Sequence, residues 1–546
     1  MGAGPESDTE IEWQLEAQDL RLVLRWIERI AADGAGGVTI AARPTVNVVD
    51  TYLDTEDRRL DRAGYSVRLR RTRRSPAEAT LKSLDGARSD GPRIRLELAE
   101  EVEDDPLALA SAPGPVGRRV RALAGSRKLV PLFDLQTRRR VFALAAAGVP
   151  SGELTLDETA IREHGGGILS RLRRVEVEVP EAALETVGPF VESLQRSCGL
   201  QPSLLTKYET ALAATGLERA RPESFGPATI DPGDMIGQVA LAVLRRQFAA
   251  MLAKEPGTRL GEDIEELHDM RVASRRLRAA VSLFGELLPA EAARLRPELA
   301  WIGQTIGAVR DLDVQLAQLD EWTEALPESD RQALAPLHAL LAEERERARA
   351  DMLEALDSPR YQRFIRRFGA MLRARSGTRT GPARAVAPDL VRRRHRALRK
   401  AMRRVDSEGE PETYHRLRIA GKRFRYALEF LSDVYPGETA RLVRRTVALQ
   451  DLLGDYQDAH VAIARLRVLA AERGGALGPE AVFAMGEVAE RYRSGMEEIR
   501  GRVARVHSRL DGKAWKRFRK HMDAERPPPP VAPARAPDPA PPEPAA

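Results

Sequence analysis

Glu10-Ile11-Glu12-Trp13-Gln14-Leu15, near the start of a 546-residue chain, decides how the first half is read. Even positions are polar and odd positions apolar. Side chains alternate between the two faces of a strand, so Glu10, Glu12 and Gln14 share one face. The pattern recurs downstream. Val67 and Leu69 oppose Arg68 and Arg70, and Thr80 and Lys82 share a face in Ala79-Thr80-Leu81-Lys82. Ile94, Leu96 and Leu98 oppose Arg93, Arg95 and Glu97, and Val175, Val177 and Val179 oppose Arg174, Glu176 and Glu178. An open antiparallel sheet with one wet face gives the same alternation. Two details favour a closed barrel with a charged interior. The polar positions almost all carry a full charge, and some strands carry carboxylates while others carry Arg or Lys. Carboxylate pairs would hold hard divalent ions through oxygen, and the Arg/Lys face would hold phosphate oxygens.

Beyond this segment the character of the chain changes. Residues 8–210 are short alternating segments broken by Gly, Pro and Asp, whereas residues 233–522 are long segments with a 3.6-residue period. Gly216–Asp231, with Pro222, Gly226 and Pro227, reads as the linker. Residues 1–215 hold 30 basic and 33 acidic side chains, so of 87 and 81 in the whole chain the remainder holds 57 and 48, a surplus of nine positive charges. A polyanionic partner for the second half follows from that surplus. The single cysteine, Cys198, excludes an intramolecular disulfide framework and a Cys-rich zinc module. No uninterrupted run of 18 apolar residues is present, and the first residues lack the basic and apolar segments of a signal peptide, so a cytoplasmic protein without membrane partners is expected. Ten of the residues 527–546 are Pro, and that tail is expected to be disordered.

The second half contains an internal copy. Leu267-His268-Asp269-Met270-Arg271-Val272-Ala273-Ser274-Arg275-Arg276-Leu277-Arg278 aligns with Tyr414-His415-Arg416-Leu417-Arg418-Ile419-Ala420-Gly421-Lys422-Arg423-Phe424-Arg425 at a spacing of 147. Pro289 and Pro436, Gly307 to Asp311 and Gly454 to Asp458, and Arg245-Arg246 and Arg392-Arg393 keep the same spacing. A unit of about four helices, duplicated at about 233–372 and 389–522, is expected. At 100° per residue, His268, Arg271, Arg275 and Arg278 form one stripe, and His415, Arg418, Lys422 and Arg425 form its copy. Acidic residues one turn further on are nearly absent, so the charge is not neutralised along the helix. Two such stripes would make one basic groove. Positive surroundings disfavour a metal at the histidines, and Asp311, Asp313 and Asp458 are expected to orient Arg or His side chains. Phe284, Phe424 and Phe430 fall off the stripes, which favours a ligand made of phosphates over one with bases to stack.

These residues carry two family resemblances. Residues 8–213 resemble the CYTH domain, a triphosphate tunnel metalloenzyme fold: Glu10 and Glu12 match its opening Glu-x-Glu-x-Lys, with Gln14 at the Lys position, and Glu176 and Glu178 match its later Glu-x-Glu. Arg68 and Arg70 match its basic strand, Lys82 its lone lysine, Arg139 or Arg140 its later arginine, and Lys207 its closing lysine, with Asp157 in between. The resemblance implies an eight-stranded antiparallel closed barrel. Glu10, Glu12, Asp157, Glu176 and Glu178 would hold Mg²⁺ or Mn²⁺. Arg68, Arg70, Lys82, Arg139, Arg140 and Lys207 would bind triphosphate, with Glu10, Glu12 and Lys82 in the catalytic roles. Residues 228–522 resemble the CHAD domain, which implies two four-helix bundles and binding of inorganic polyphosphate. The residues for it would be those of the two stripes together with Arg276, Arg423, Arg245 and Arg392.

The expected protein is therefore an α+β multidomain chain, a charged barrel followed by an all-α duplicated domain and the Pro-rich tail. Its expected activity is metal-dependent hydrolysis of inorganic triphosphate, with polyphosphate captured by the helices and an association with polyphosphate granules. A second reading starts from Gln14, which supplies no positive charge. It makes the chain a non-catalytic polyphosphate-binding protein with a disabled barrel. Other known CYTH activities, thiamine triphosphatase and adenylyl cyclase, stay open, because shared phosphate ligands say nothing of the organic end of a substrate.

Overall fold

The structure is a computed structural model that describes residues 9–30, 35, 37–73, 75–84, 91–324, 328–374, 381–408, 410–507 and 512–528. Residues 529–546, most of the Pro-rich tail, lie outside the described residues. The chain divides into two compact units, one of Met1–Glu223 with Glu255–Glu266 and one of Ser224–Lys254 with Leu267–Ala546.

The first unit contains β1 (Thr9–Glu16), β2 (Val38–Ala42), β3 (Val46–Thr55), β4 (Tyr65–Arg71), β5 (Ala77–Ser83), β6 (Arg93–Val102), β7 (Leu129–Ala146), β8 (Val149–Arg162), β9 (Ile168–Glu178) and β10 (Gln201–Pro202). Eight of these close a ring in the order β1-β6-β5-β4-β3-β7-β8-β9, with β9 pairing back onto β1. All the pairings are antiparallel. Closure leaves the ring without a free edge. β2 pairs with the far end of β7, and β10 with the end of β1.

The barrel is inverted relative to an ordinary core. Ile11, Trp13, Leu15, Val175 and Val177 face outward and pack beneath the helices Leu20–Ile30 and Leu184–Cys198, against Val23, Trp26, Ile27, Val187 and Phe190. On another side Val67, Leu69, Ala79 and Leu81 pack beneath helix Pro115–Ala124, against Val116, Val120 and Leu123. Each such side chain contributes about 1.5–3 kcal/mol by leaving water, so the apolar stabilisation lies outside the ring and the inside is left to charged groups. Part of the interior is filled by an apolar plug. Tyr52, Phe133, Leu135 and Ile161 meet Tyr208, Ala211 and Leu212 of helix Lys207–Ala214. A capping box, Thr206 with Glu209, fixes the start of that helix and with it Lys207.

The second unit is helical and shows the duplication. Ile236–Ala253, Ile264–Phe284, Arg296–Glu324 and Glu328–Asp357 recur as Ala383–Glu408, Pro411–Phe430, Ala440–Leu477 and Pro479–His507. Each copy also ends in a fifth helix, Pro359–Arg373 and Lys513–Ala524, which the expectation of four did not separate. In the first copy Ser358 caps the new helix by accepting from the Tyr361 N–H, and Pro359 occupies its first position. The copies pack on each other. One continuous core takes buried residues from both, from Phe248 and Leu277 to Phe424 and Trp515, and a second cluster joins Leu334 and Leu337 to Met485 and Val488. The apolar stretch beginning at Ile236 is long and apolar enough by composition to cross a membrane, although Arg245-Arg246-Gln247 interrupts it. Its Val239, Ala240, Leu244, Phe248 and Met251 are buried in the helical core.

Phe284 of the first copy and Phe430 of the second lie with ring centroids 6.5 Å apart. Phe284→Ala and Phe430→Ala should each cost about 3–5 kcal/mol in urea denaturation. The double variant should fall short of the sum by about 0.5–1.5 kcal/mol, since the rings share a contact. Strict additivity would show that the copies do not share a core.

Candidate functional site

The barrel interior encloses a cavity of about 250 Å³. Its lining sets seven carboxylates, Glu10, Glu12, Glu78, Glu97, Glu153, Glu176 and Glu178, against six cations, Arg68, Arg70, Lys82, Arg95, Arg139 and Lys207. The alternation of each strand, phased by its register with the next, delivers these side chains inward.

They are organised in three groups. In the first, Lys82 Nζ lies 2.5 Å from Glu10 Oε1, and Arg95 reaches both Glu10 (2.8 Å) and Glu12. Burial alone would raise the Glu10 carboxyl, but Lys82 and Arg95 outweigh it and hold it down at about 2. Glu12 behaves oppositely. Burial raises it, the neighbouring Glu10 and Glu176 add repulsion, and Arg95 and Lys82 only partly offset this. Gln14 donates from Nε2 to Glu12 at 2.7 Å but brings no charge. In the second group, Arg70 makes a bidentate pair with Asp50 (2.8 and 3.1 Å), and Arg68 stands 3.6 Å from the same carboxylate. Burial is again the largest influence on Asp50, and the two guanidiniums overcome it and hold the carboxyl well below the usual range. In the third, Arg139 grips Asp157 (2.9 and 2.6 Å) and reaches Glu176 (3.2 Å), while Lys207 bonds Asp157 and Glu176. Glu178 also lines the cavity, with part of its surface left in solvent. Enclosure by the surrounding protein, then Glu10, Glu97 and Glu12, push its carboxyl up to about 7.

Most of the residues singled out in the sequence thus share this cavity: Glu10, Glu12, Arg68, Arg70, Lys82, Arg139, Glu176, Glu178 and Lys207. Asp157 lies behind it, fully buried under Arg139 and Lys207. Arg140 is not in the lining. It follows Arg139 on β7, and the pairing of Arg139 with Asp157 across β7 and β8 phases Arg139 inward and its neighbour to the other face. Arg95 and Asp50, with the lining carboxylates Glu78, Glu97 and Glu153, were not among the site residues named from the sequence. Arg95 already stood on the charged face of its strand. Asp50 sits in Val46-Asn47-Val48-Val49-Asp50-Thr51-Tyr52, where the alternation is irregular and gave no signal.

Among the described residues no group of three or more His, Cys, Asp or Glu is arranged to hold a metal. The carboxylates most available for one are Glu12 and Glu178, each raised by burial and by like charge. Gln14 Oε1 lies beside them, buried and without a hydrogen-bond partner. Oxygen donors that repel one another fit a hard divalent cation.

In the helical unit the two stripes converge. Arg271 pairs with Asp311 at 2.9 Å, and Arg418 stands 4.0 Å from Asp458, the equivalent residue of the second copy. Arg275 crosses between copies to donate to the Tyr426 hydroxyl at 3.0 Å. Burial lowers Arg418, and Arg275 and Arg271 from the other copy lower it further. Lys422 is pushed down to about 7, first by burial and then by Arg275 and Arg418, against the pull of Asp458. Arg418 Nε is buried with no hydrogen-bond partner. The histidines are half-buried, and His415 Nδ1 lies 2.8 Å from Gln457 Oε1. Arg278 passes over Gly303, with Nη1 3.5 Å from where a Cβ would stand. Asp313 is taken by Arg345 at 3.0 Å, away from the stripes.

Five further arginines singled out in the sequence are engaged differently. Arg245 donates to the Leu372 and Pro227 carbonyls, and Arg392 pairs with Asp523. Each thereby ties down the end of the fifth helix of its own copy. Arg276 bonds Glu429 (2.5 Å) and Gln247 (3.0 Å), and Arg425 reaches the same Glu429 at 3.3 Å. Arg423 lines a separate pocket with Arg394 and Arg416.

Comparison with known proteins bears on both units. The CYTH domain model matches residues 28–208 and the CHAD domain model residues 242–467. The chain carries a CYTH domain followed by a CHAD domain. The CYTH match begins after β1, so the strand bearing Glu10, Glu12 and Gln14 enters the barrel on its pairing with β6 and β9. Similar solved structures include the CHAD domain of the plant Ricinus communis, at 28% identity over 56% of this chain and 97% of that one, with a TM-score of 0.41. PptA from Streptomyces chartreusis is 23% identical over 50% of this chain and 99% of its own, with a TM-score of 0.43. A candidate adenylyl cyclase from Hippeastrum, described as having a dominant triphosphatase activity, is 22% identical over 38% and 96%, with a TM-score of 0.30. No curated protein matches the chain.

Two expectations follow. Arg70→Gln leaves the buried Asp50 carboxylate without its bidentate partner and should destabilise the barrel by about 3–5 kcal/mol in urea denaturation. Asp50→Asn in the same chain should recover much of that loss. The second concerns Lys422. A bound anion favours its protonated form, so anion affinity should fall as pH rises through about 7. Between there and the ordinary lysine range the unfolded chain holds a proton that the folded one lacks, so folding is favoured as binding weakens. Titration with polyphosphate at pH 6 and pH 8.5 reads the effect, and Lys422→Arg should flatten it.

Proposed function

We propose that the barrel hydrolyses inorganic triphosphate with Mg²⁺ or Mn²⁺ and that the helical domain binds inorganic polyphosphate. The observation that carries the reading is that the lumen holds no surplus of positive charge: seven carboxylates line it with six cations, and Asp50 and Asp157 engage three of those cations from behind. An interior of that balance cannot neutralise a triphosphate alone, because the anion brings several further negative charges into a place of low dielectric. It must enter with cations of its own, and the carboxylates are where those cations would rest. A divalent ion held by Glu10, Glu12, Glu176 and Glu178 would neutralise phosphate oxygens and lower the pKa of a bound water. The chain's own residues orient the substrate. Arg68, Arg70 and Arg139 present planar donors to phosphate oxygens, and Lys82 and Lys207 add point charges. Asp50 and Asp157 hold Arg70 and Arg139 in place for that task.

Gln14 bears on the second reading, a barrel that binds without turning over. Arg95 supports catalysis here. It brings a positive charge to Glu10 and Glu12, the carboxylates beside which the missing lysine would have stood. For the helical domain, four cations, Arg271, Arg275, Arg418 and Lys422, gather around two carboxylates, Asp311 and Asp458. That surplus supports a polyanion as ligand. Location in the cytoplasm, beside polyphosphate deposits, is part of the same proposal.

Phosphate release from tripolyphosphate, ATP and thiamine triphosphate, with Mg²⁺ and Mn²⁺ compared, tests the barrel. Tripolyphosphate should be the best substrate, and release should require the metal. Glu10→Gln with Glu12→Gln should abolish release, and it should lower the thermal transition as well, because Lys82 and Arg95 lose buried partners, so release is measured well below that transition. Unchanged turnover in that variant would remove the metal-site assignment, and no release from any of the three in the wild type would leave the non-catalytic reading.

A further inference from the structure

The two copies differ at one pocket. In the second copy Arg394, Ala397, Arg416, Ile419, Ala420 and Arg423 line a cavity of about 290 Å³ between helices Ala383–Glu408 and Pro411–Phe430. None of these belongs to the His415 stripe, and Arg423 stands one residue off it. Subtracting 147 gives the same place in the first copy: Gln247, Ala250, Asp269, Val272, Ala273 and Arg276. The apolar floor is kept, two alanines and one β-branched residue in each. The charges are not. The first copy has one arginine, one amide and one carboxylate, and its arginine is spent on Gln247 and Glu429. Its carboxylate, Asp269, is paired with Lys254 at 3.1 Å. The second copy has three guanidiniums and no carboxylate in the lining.

Two of those guanidiniums are anchored. Arg394 is half-buried and anchored by one arm, donating from Nη2 to the Ser282 carbonyl at 2.9 Å. Burial lowers its pKa, and Arg423 and Arg393 lower it further. Arg416 is steadied from its own helix, donating to the Glu412 carbonyl at 3.3 Å, and the Glu412 carboxylate is 3.9 Å away in solvent. Arg423 is exposed on the pocket rim. Like charges gathered around a shallow apolar floor stand at a cost that a bound anion removes. Planar donors converging on one space suit the tetrahedral oxygens of a phosphate group.

We propose that Arg394, Arg416 and Arg423 form a phosphate-binding pocket of the second copy alone, separate from the groove between the stripes. It takes a compact phosphoanion of the size of pyrophosphate. The same chemistry could reach the pocket as a free anion or as the end of a longer polyphosphate chain.

The experiment uses the full chain, with hydrogen exchange at residues 391–399 and 416–424 read in the presence of pyrophosphate or long-chain polyphosphate. Pyrophosphate should protect both segments. The protection should survive Arg418→Gln with Lys422→Gln, which disables the groove. Arg394→Gln with Arg416→Asp installs residues that the chain already carries at the same helical positions of its first copy, so folding should be kept. That variant should weaken pyrophosphate at these segments by at least about tenfold. The reverse exchange, Gln247→Arg with Asp269→Arg, should create new protection at 244–252 and 269–277. Protection of 391–399 and 416–424 by the long chain alone, surviving loss of the groove, would assign the source to a chain end. Protection lost together with the groove, or unchanged in the Arg394→Gln, Arg416→Asp variant, would overturn the proposal.

Discussion

Everything in the barrel depends on one constraint: charges may be enclosed only if each meets its opposite. The strands put their apolar residues outward, under helices, and so leave the lumen to Glu, Asp, Arg and Lys. An isolated ionised side chain there would neutralise itself by shifting its pKa. The structure instead pairs them, Asp50 with Arg70, Asp157 with Arg139 and Lys207, and Glu10 with Lys82 and Arg95. Where the pairing is incomplete, at Glu12 and Glu178, the carboxyls are raised instead. The lattice of pairs therefore both stabilises the closed ring and marks the carboxylates whose charge is least offset, Glu12, which shares Arg95 with Glu10, and Glu178. Removing one member of a pair is costly for the fold and for the site together, because the same groups serve both.

The helical domain solves the opposite problem. Its core is apolar and continuous through both copies, and its charged residues sit at the surface of that core. Nothing there forces neutrality, so a surplus of positive charge can persist around Asp311 and Asp458. The consequence is a difference in what each half asks of an anion. A balanced lumen would need counter-cations to arrive with an anion, whereas a surplus of guanidinium and ammonium groups would take a polyanion directly and release the ions condensed on it. Salt should matter more to the second half than to the first.

The lumen was legible in the sequence wherever a strand alternated cleanly. Glu10, Glu12, Arg68, Arg70, Lys82, Glu176 and Glu178 reach the cavity because a period of two puts every second side chain on one face. The choice between Arg139 and Arg140 was not legible. Both are arginines, and only the register of β7 against β8 sets which one faces Asp157. Asp50 was hidden by a strand whose two faces are both largely buried, so composition alternates little along it. In the helical half the stripes were readable because each appears twice. The fate of Arg245 and Arg392 was not, since their partners, the Leu372 carbonyl and Asp523, lie 127 and 131 residues away.

Duplication also separates what the fold requires from what it permits. Both copies use the arginine at the Arg245 and Arg392 position to tie down their last helix, and both set an aspartate, Asp311 or Asp458, against the arginine of the stripe. Those positions carry one physical task in each copy, so the residues match. At Gln247 and Arg394, and at Asp269 and Arg416, the tasks have parted. Gln247 and Asp269 engage Arg276 and Lys254 and leave the first pocket electrically quiet. Arg394 and Arg416 leave the second pocket strongly basic on the same apolar floor. The packing beneath is equivalent, so stability does not demand the three arginines. A concentration of like charge that the fold does not need, in a copy whose twin manages without it, points to a ligand as its reason.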